Sequence, residues 1–129
     1  MTAEVDVYTD GEVTLTETAG EMRLSSVTAT LGDVTLVSPL SMIDALGDAG
    51  ADVTGNILVL TASAGSIGSF LNDVEIDSAH SKVGTLTASA QADVYLAELA
   101  GGLTVQRVTA ATGAVRLTTH DTAATGEDI

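Results

Sequence analysis

The chain contains no cysteine and very few aromatic side chains. None of its 129 residues is cysteine, which excludes disulfide bonds and thiolate metal sites. Aromatic residues make up only 2% of the chain, although 45% of it is hydrophobic. The core must therefore be built mainly from valine, leucine, isoleucine and alanine. A thin core of this kind fits a stack of small, similar layers better than one large irregular interior.

Basic residues are also scarce. Four lysines and arginines stand against 18 acidic residues, and the formal net charge is -14. This charge repels phosphate backbones and anionic lipid head groups, so we predict neither nucleic-acid nor membrane-surface partners. The sequence has no basic leader segment and no apolar run long enough for a membrane span. We therefore predict no membrane insertion, and we expect any secretion signal to lie outside this chain.

The sequence repeats itself at long and at short range. Residues Gly11–Ser38 align without gaps with Ala92–Thr119 at an offset of 81, and 11 of the 28 aligned residues are identical. A shorter unit recurs inside this long repeat: a turn residue, then an alternating apolar run that ends at an anchor residue. The six anchors are Leu15, Leu36, Leu60, Ile76, Leu96 and Leu117, at steps of 21, 24, 16, 20 and 21 residues. Five anchors have another apolar residue seven positions later, namely Met22, Ile43, Ile67, Val83 and Leu103.

This period, with alternation inside each run, predicts a chain wound into stacked β-strand coils. We predict an all-β fold, a parallel β-helix (β-solenoid) of about six coils of roughly 20 residues. Residues 11–119 would form the solenoid, residues 1–10 an N-terminal cap or partial coil, and residues 120–129 a polar tail. The anchors Leu36, Leu60, Ile76 and Leu96 should be buried, and Thr14 and Thr35 should face solvent. Ser41–Leu46 is the best helix candidate, and an antiparallel sandwich is the alternative architecture.

Several stretches resemble a known class of repeat. The phrases GDVTLVS, NILVLTASAGSIGS and VGTLTASAQADVYLAELAGGL resemble repeats of giant bacterial surface proteins and exoproteins of the filamentous-haemagglutinin-like type. The resemblance covers nearly all of Gly11–Thr119. It implies a right-handed winding, secretion to the bacterial cell surface or beyond, and a role as a stalk or adhesive rod. It defines no catalytic or binding residues that carry over to this chain.

Three carboxylates at a spacing of four residues form the most unusual local pattern. Asp44, Asp48 and Asp52 lie among glycines and alanines in the segment DALGDAGAD. Ca²⁺ selects flexible, oxygen-rich loops, so these three residues are the candidate calcium ligands. Leu46 stands where such a loop would place a polar ligand, and no glutamate closes the loop. A solvated turn without a metal is therefore the alternative, and no other cofactor is predicted.

An enzymatic function is a second alternative for a β-helix. Polysaccharide-acting enzymes place carboxylates along an exposed sheet, and Asp73, Glu75 and Asp77 alternate onto one face of a predicted strand. Asp93 would lie one coil away. Outward-facing acids also keep an acidic solenoid soluble, and a fold alone does not imply an activity. We therefore predict that the chain is not an enzyme.

Threonine pairs such as Thr14/Thr16 raise ice binding as a third alternative. An ice-binding face should repeat such a pair at one position in every coil. The corresponding positions beside the Leu36, Leu60 and Ile76 anchors hold Thr35/Val37, Val59/Thr61 and Glu75/Asp77. This irregularity argues against ice binding, and the strand preference of threonine explains its abundance.

The sequence therefore predicts a structural or adhesive spacer module of a large extracellular bacterial repeat protein. Each coil cannot bury its apolar face alone, so neighbouring coils, or copies of the chain arranged end to end, are the predicted partners. A cell-surface or glycan ligand is a further predicted partner of an adhesive module.

Overall fold

A computed structural model describes residues 3–120 and residue 129. Within these residues the chain forms β-strands and no helix, so it has no helix of the length and apolar character needed to cross a membrane. The strands are β1 (Val5–Thr9), β2 (Val13–Thr16), β3 (Met22–Ala29), β4 (Val34–Ser38), β5 (Met42–Asp44), β6 (Val53–Thr54), β7 (Ile57–Ala62), β8 (Val74–Asp77), β9 (Thr85–Ala90), β10 (Val94–Glu98), β11 (Val105–Ala110) and β12 (Val115–Thr119). The helix candidate Ser41–Leu46 contains strand β5 instead.

The strands form two parallel sheets. Sheet A has the order β1-β3-β6-β8-β10-β12, and β5 also pairs with β3. Sheet B has the order β2-β4-β7-β9-β11. The chain passes from one sheet to the other and back, so that stacked coils lie about 21 residues apart over about five turns. The predicted all-β parallel β-solenoid is confirmed.

The core lies between the two sheets. The anchors Leu36, Leu60, Ile76 and Leu96 are fully buried, as predicted. Thr14 is exposed and Thr35 is half-buried, because alternate residues of a strand point to opposite faces of the sheet. The aliphatic side chains therefore stack in rows along the solenoid, with the intervening residues on its outer surface.

The solenoid has about five turns rather than six, because two of the anchors belong to the same turn. Leu60 lies on β7 in sheet B, and Ile76 lies on β8 in sheet A. The 16-residue step between them is therefore a crossing between sheets within one turn. The seven-residue rule holds only in part. Met22, Ile67 and Leu103 are buried, whereas Ile43 is half-buried and Val83 is exposed.

The 81-residue repeat relates strands that lie in opposite sheets. Strand β2 of sheet B aligns with residues 94–97 of β10 in sheet A. Strand β3 of sheet A aligns with residues 103–110, which contain β11 of sheet B. The two sheets thus use similar sequences, because both present one apolar face to the shared core. Residues that are equivalent in the 81-residue alignment therefore lie on opposite sides of the solenoid.

Aspartates at the start of the apolar runs join one coil to the next. Asp33, which precedes β4, accepts a hydrogen bond from the backbone N–H of Ile57 at 3.0 Å. Asp93, which precedes β10, accepts one from the backbone N–H of Ala114 at 2.8 Å. Each contact crosses to the following coil and satisfies a backbone donor at a turn. The recurrent aspartate is therefore part of the stacking of the coils.

Candidate functional site

The chain leaves the regular coil between β5 and β6. Both short strands pair with β3, and residues 45–52 form a loop between them. The Asp44 Oδ1 atom accepts hydrogen bonds from the backbone N–H groups of Leu46 at 2.8 Å and Gly47 at 2.9 Å. Gly47 has a φ of +63°, a left-handed conformation that glycine adopts readily. An aspartate and a glycine three residues apart thus form the first turn of this loop.

The two ends of the loop meet a glutamate from the next coil. Asp44 ends β5, Asp52 directly precedes β6, and Glu75 lies on β8. One carboxylate oxygen from each residue lies within 4.8 Å of the other two. Asp44 and Asp52 are only 6% and 2% exposed, and Glu75 is half-buried. Asp44, Asp52 and Glu75 are called the acidic triad below.

Burial dominates the electrostatics of the acidic triad. Desolvation raises the pKa of Asp52 well above its usual range, although a hydrogen bond from the Glu75 N–H to Asp52 Oδ2 at 3.0 Å partly opposes this. Desolvation also raises the pKa of Glu75, and repulsion from Asp44 adds to the rise at both residues. Three ionised carboxylates at this distance repel one another strongly where water is excluded. The cluster therefore requires bound protons or a compensating positive charge.

Two oxygens of the triad are buried without a hydrogen-bond partner. These atoms are Asp44 Oδ2 and Glu75 Oε2, which find no partner among the described residues. No ion pair of the described part of the chain reaches the triad. Leaving a buried polar atom unpaired costs about 1 to 3 kcal/mol. The triad therefore lowers the stability of the folded chain, and ordinary packing does not explain its presence.

The structure brings together two of the three predicted calcium ligands. Asp44 and Asp52 belong to the triad, whereas Asp48 is exposed and accepts a hydrogen bond from the Gly50 N–H at 2.7 Å. Glu75 is the third member. Local spacing missed it because Glu75 lies 23 residues after Asp52, on the following coil. The coil period could have identified Glu75, because a residue about one period after Asp52 lies beside it at the start of β8.

A groove of about 310 Å³ adjoins the triad. Its lining includes Asp48, Phe70, Glu75, Arg116 and His120. Arg116 forms an ion pair with Asp73 and donates a hydrogen bond to the Phe70 carbonyl oxygen at 3.0 Å. The guanidinium carbon of Arg116 lies 4.7 Å from the ring centroid of Tyr95 and 5.4 Å from that of Phe70. These contacts hold the positive charge of Arg116 and the ring of Phe70 at one wall of the groove.

The four acidic residues considered for polysaccharide chemistry have different contacts. Asp73 pairs with Arg116, Asp77 contacts His80 at 3.3 Å, and Asp93 accepts a hydrogen bond from the Ala114 N–H. These contacts give three of the four carboxylates a structural role in the solenoid, whereas Glu75 belongs to the acidic triad.

The outer face of sheet B differs from the pattern expected for it. The register places Thr87 and Ser89 beside Val59 and Thr61, whereas Glu75 and Asp77 lie in sheet A. Two columns cross the sheet, one of Thr14, Thr35, Val59, Thr87 and Arg107, the other of Thr16, Val37, Thr61, Ser89 and Thr109. Arg107 is the single charged residue in these columns, although the chain has a net charge of -14. The argument against ice binding treated Glu75 and Asp77 as equivalent to residues of sheet B. That comparison was wrong, because both residues lie on β8 in sheet A.

The comparisons with known proteins identify no relative. No protein-family model matches the chain, and neither a curated protein nor a solved structure matches it. Nothing in them identifies a filamentous-haemagglutinin-like repeat.

Proposed function

We propose that this chain is a non-catalytic spacer and adhesive module of a large extracellular bacterial repeat protein. The resemblance of its repeats to filamentous-haemagglutinin-like proteins supports this proposal. The physical basis is the stacking of solenoid coils on one another. A coil at the end of a stack exposes part of its core and one row of unpaired backbone groups, so it accepts a further coil.

The exposure of one column of the core is the observation that carries the proposal. Val94 on β10 is fully buried, whereas Val115, its partner on β12, is 48% exposed. Leu96 is likewise fully buried, whereas its β12 partner Leu117 is only partly buried. Among the described residues, β12 pairs only with β10, and the same inward-facing positions are more exposed on β12 than on β10.

The charge distribution suits a rod that grows at its ends. Apolar surface at the end faces favours stacking of further coils, at about 25 cal/mol per Å² of buried apolar area. The net charge of -14 opposes unspecific sideways association. An adhesive role would require a ligand at the side of the rod, and the groove beside Phe70 and Arg116 is the place we propose for a glycan.

The end-stacking part of this proposal predicts concentration-dependent association. In sedimentation velocity, the chain should form oligomers as its concentration rises. Val115→Asp should shift the protein to monomer, because it places a charge on the apolar end face. Val83→Asp is the matched control, because Val83 is also an exposed valine but lies outside the strands, in the connection between β8 and β9. A wild-type chain that stays monomeric at every concentration would contradict the proposed stacking.

The corrected register of sheet B favours a second candidate function, the binding of ice. Neighbouring strands lie about 4.8 Å apart and alternate residues about 6.6 Å apart along a parallel strand, so the two columns form a regular grid. Nine of the ten residues in the grid are threonine, serine or valine. Apart from Arg107 on β11, such a grid presents hydroxyl and methyl groups at repeating positions without charges that would disturb ordered water.

The ice-binding candidate is tested by thermal hysteresis and by inhibition of ice recrystallisation. Both activities should be present in the wild-type chain and abolished by Thr61→Tyr, which places a bulky ring in the middle of the grid. Thr28→Tyr, on β3 of sheet A, should leave them unchanged. Absence of both activities in the folded wild-type chain would exclude this function.

A further inference from the structure

We propose that the acidic triad binds a hard divalent cation of the calcium class, which joins the 45–52 loop to the following coil. This inference goes beyond the proposed function, because it assigns a ligand to residues that a passive rod does not need. It also replaces the sequence-based ligand set, since Glu75 takes the place of Asp48.

The first support is the unmet need of the triad for positive charge. Asp44 and Asp52 are almost fully buried, and their carboxylate oxygens lie within 4.8 Å of an oxygen of Glu75. No basic side chain forms an ion pair with them among the described residues. Buried charges persist in proteins when they are paired or when they coordinate a metal.

The second support is the pair of unsatisfied oxygens. Asp44 Oδ1 is occupied by the two N–H groups of the loop, which leaves Asp44 Oδ2 buried and without a partner. Glu75 Oε2 is in the same state. Buried oxygens from two different coils, each without a donor, are what a shared cation would satisfy.

The donor set selects the class of cation. All three side chains offer carboxylate oxygens, and the triad contains neither histidine nor cysteine. Hard oxygen donors suit Ca²⁺, Mg²⁺ and Mn²⁺ rather than soft or imidazole-preferring metals. Ca²⁺ accepts six to eight ligands in irregular geometry and commonly takes backbone carbonyls and water, whereas Mg²⁺ demands a near-ideal octahedron. A site built from a flexible loop and a neighbouring strand therefore favours Ca²⁺.

The position of the triad defines what the cation would do. Asp44 and Asp52 lie at the two ends of the loop, and Glu75 lies one coil further along sheet A. A cation held by all three would fix both ends of the loop to each other and to β8. The loop contributes Asp48 and the turn residue Gly47 to the groove beside the triad, so the cation would also set the shape of that groove.

The test is calcium titration of metal-stripped protein by calorimetry, together with thermal unfolding in CaCl₂ and in chelator at pH 7.5. Wild-type protein should bind one Ca²⁺, and its melting temperature should rise in CaCl₂. Asp52→Asn and Glu75→Gln should each weaken binding by about tenfold or more, because the affinity of such sites follows the number of charged ligands. Glu75→Gln keeps the shape of a half-buried side chain, so it tests the site even if Asp52→Asn does not fold.

Asp48→Asn is the matched control, because it removes an equal charge from the same loop outside the triad. It should bind Ca²⁺ as the wild type does. Loss of binding in Asp48→Asn equal to that in Glu75→Gln would overturn the proposed ligand set. Binding of Mg²⁺ without binding of Ca²⁺ would overturn the calcium class. No binding of either ion by the folded wild-type chain would overturn the site itself and leave bound protons as what neutralises the triad.

Discussion

Replacing Leu60 with aspartate is expected to leave the chain unfolded at neutral pH. Leu60 is fully buried at the centre of sheet B, where the register places it between Leu36 and Ala88. Removing a buried leucine side chain costs about 2 to 5 kcal/mol. An unpaired carboxylate in the same apolar row adds several kcal/mol more. Together these costs approach the whole stability of an ordinary domain, about 5 to 15 kcal/mol.

Far-ultraviolet circular dichroism and a thermal melt measure this effect directly. Leu71→Asp is the matched control, because Leu71 is 91% exposed and should accept the charge with little change. If Leu60→Asp unfolds cooperatively at the temperature of the parent, the stacking register of sheet B is wrong.

Replacing Glu98 with glutamine is expected to stabilise the chain at pH 8 by up to about 3 kcal/mol. Glu98 is fully buried, and burial raises its pKa to about 7 from its ordinary value of 4.5. Its Oε1 and Oε2 atoms accept hydrogen bonds from the Ser78 N–H at 2.9 Å and the Ser78 hydroxyl at 2.6 Å, which partly oppose this rise. Glutamine can keep both contacts, because its carbonyl accepts from the N–H and its amide donates to the hydroxyl.

The direction of the pH dependence follows from the raised pKa. Between pH 4.5 and about 7 the folded chain holds a proton on Glu98 that the unfolded chain has released. Stability from this group is therefore fully present below pH 4.5 and is lost as the pH rises through about 7. Chemical denaturation across this range should show the advantage of Glu98→Gln shrinking towards zero in acid.

An exposed glutamate provides the control for this pH series. Glu12→Gln removes one negative charge at an exposed position and should change stability little at any pH. An advantage of Glu98→Gln that is the same at pH 4 and pH 8 would show that Glu98 does not titrate as its burial requires. The pKa values of Asp52 and Glu75 are also raised by burial, and both residues are present in the wild type and in the variant. Their contributions to the pH dependence of stability therefore cancel in this comparison.

The fold could be predicted because its main signal is local. Alternation such as Val34, Thr35 and Leu36 decides which side chain faces the core, and this alternation predicted the buried anchors correctly. The number of turns was predicted less accurately than the burial of the anchors. The runs that end at Leu60 and Ile76 look alike, and nothing within a run indicates which of two similar sheets it will join.

The candidate site was predicted in part for the same reason. Asp44 and Asp52 are close in sequence, so a local pattern could select them, but it also selected Asp48. Glu75 joins them only because the register of sheet A places β8 beside β6. The burial of Glu98 was also not predicted, since an acidic residue at the end of an alternating run usually lies on the surface.

The sequence by itself determined the parallel solenoid, the aliphatic rows of its core and the acidic character of its exterior. Only the tertiary structure decided which sheet each strand joins, which carboxylates from different coils meet, and how exposed the inward-facing side chains of β12 are. The physical reason is that the two-residue period of a strand decides whether each side chain points towards the core or towards solvent. Contacts between coils depend instead on the summed lengths of all the turns between them, and the 45–52 loop and the long connections around β8 change those lengths.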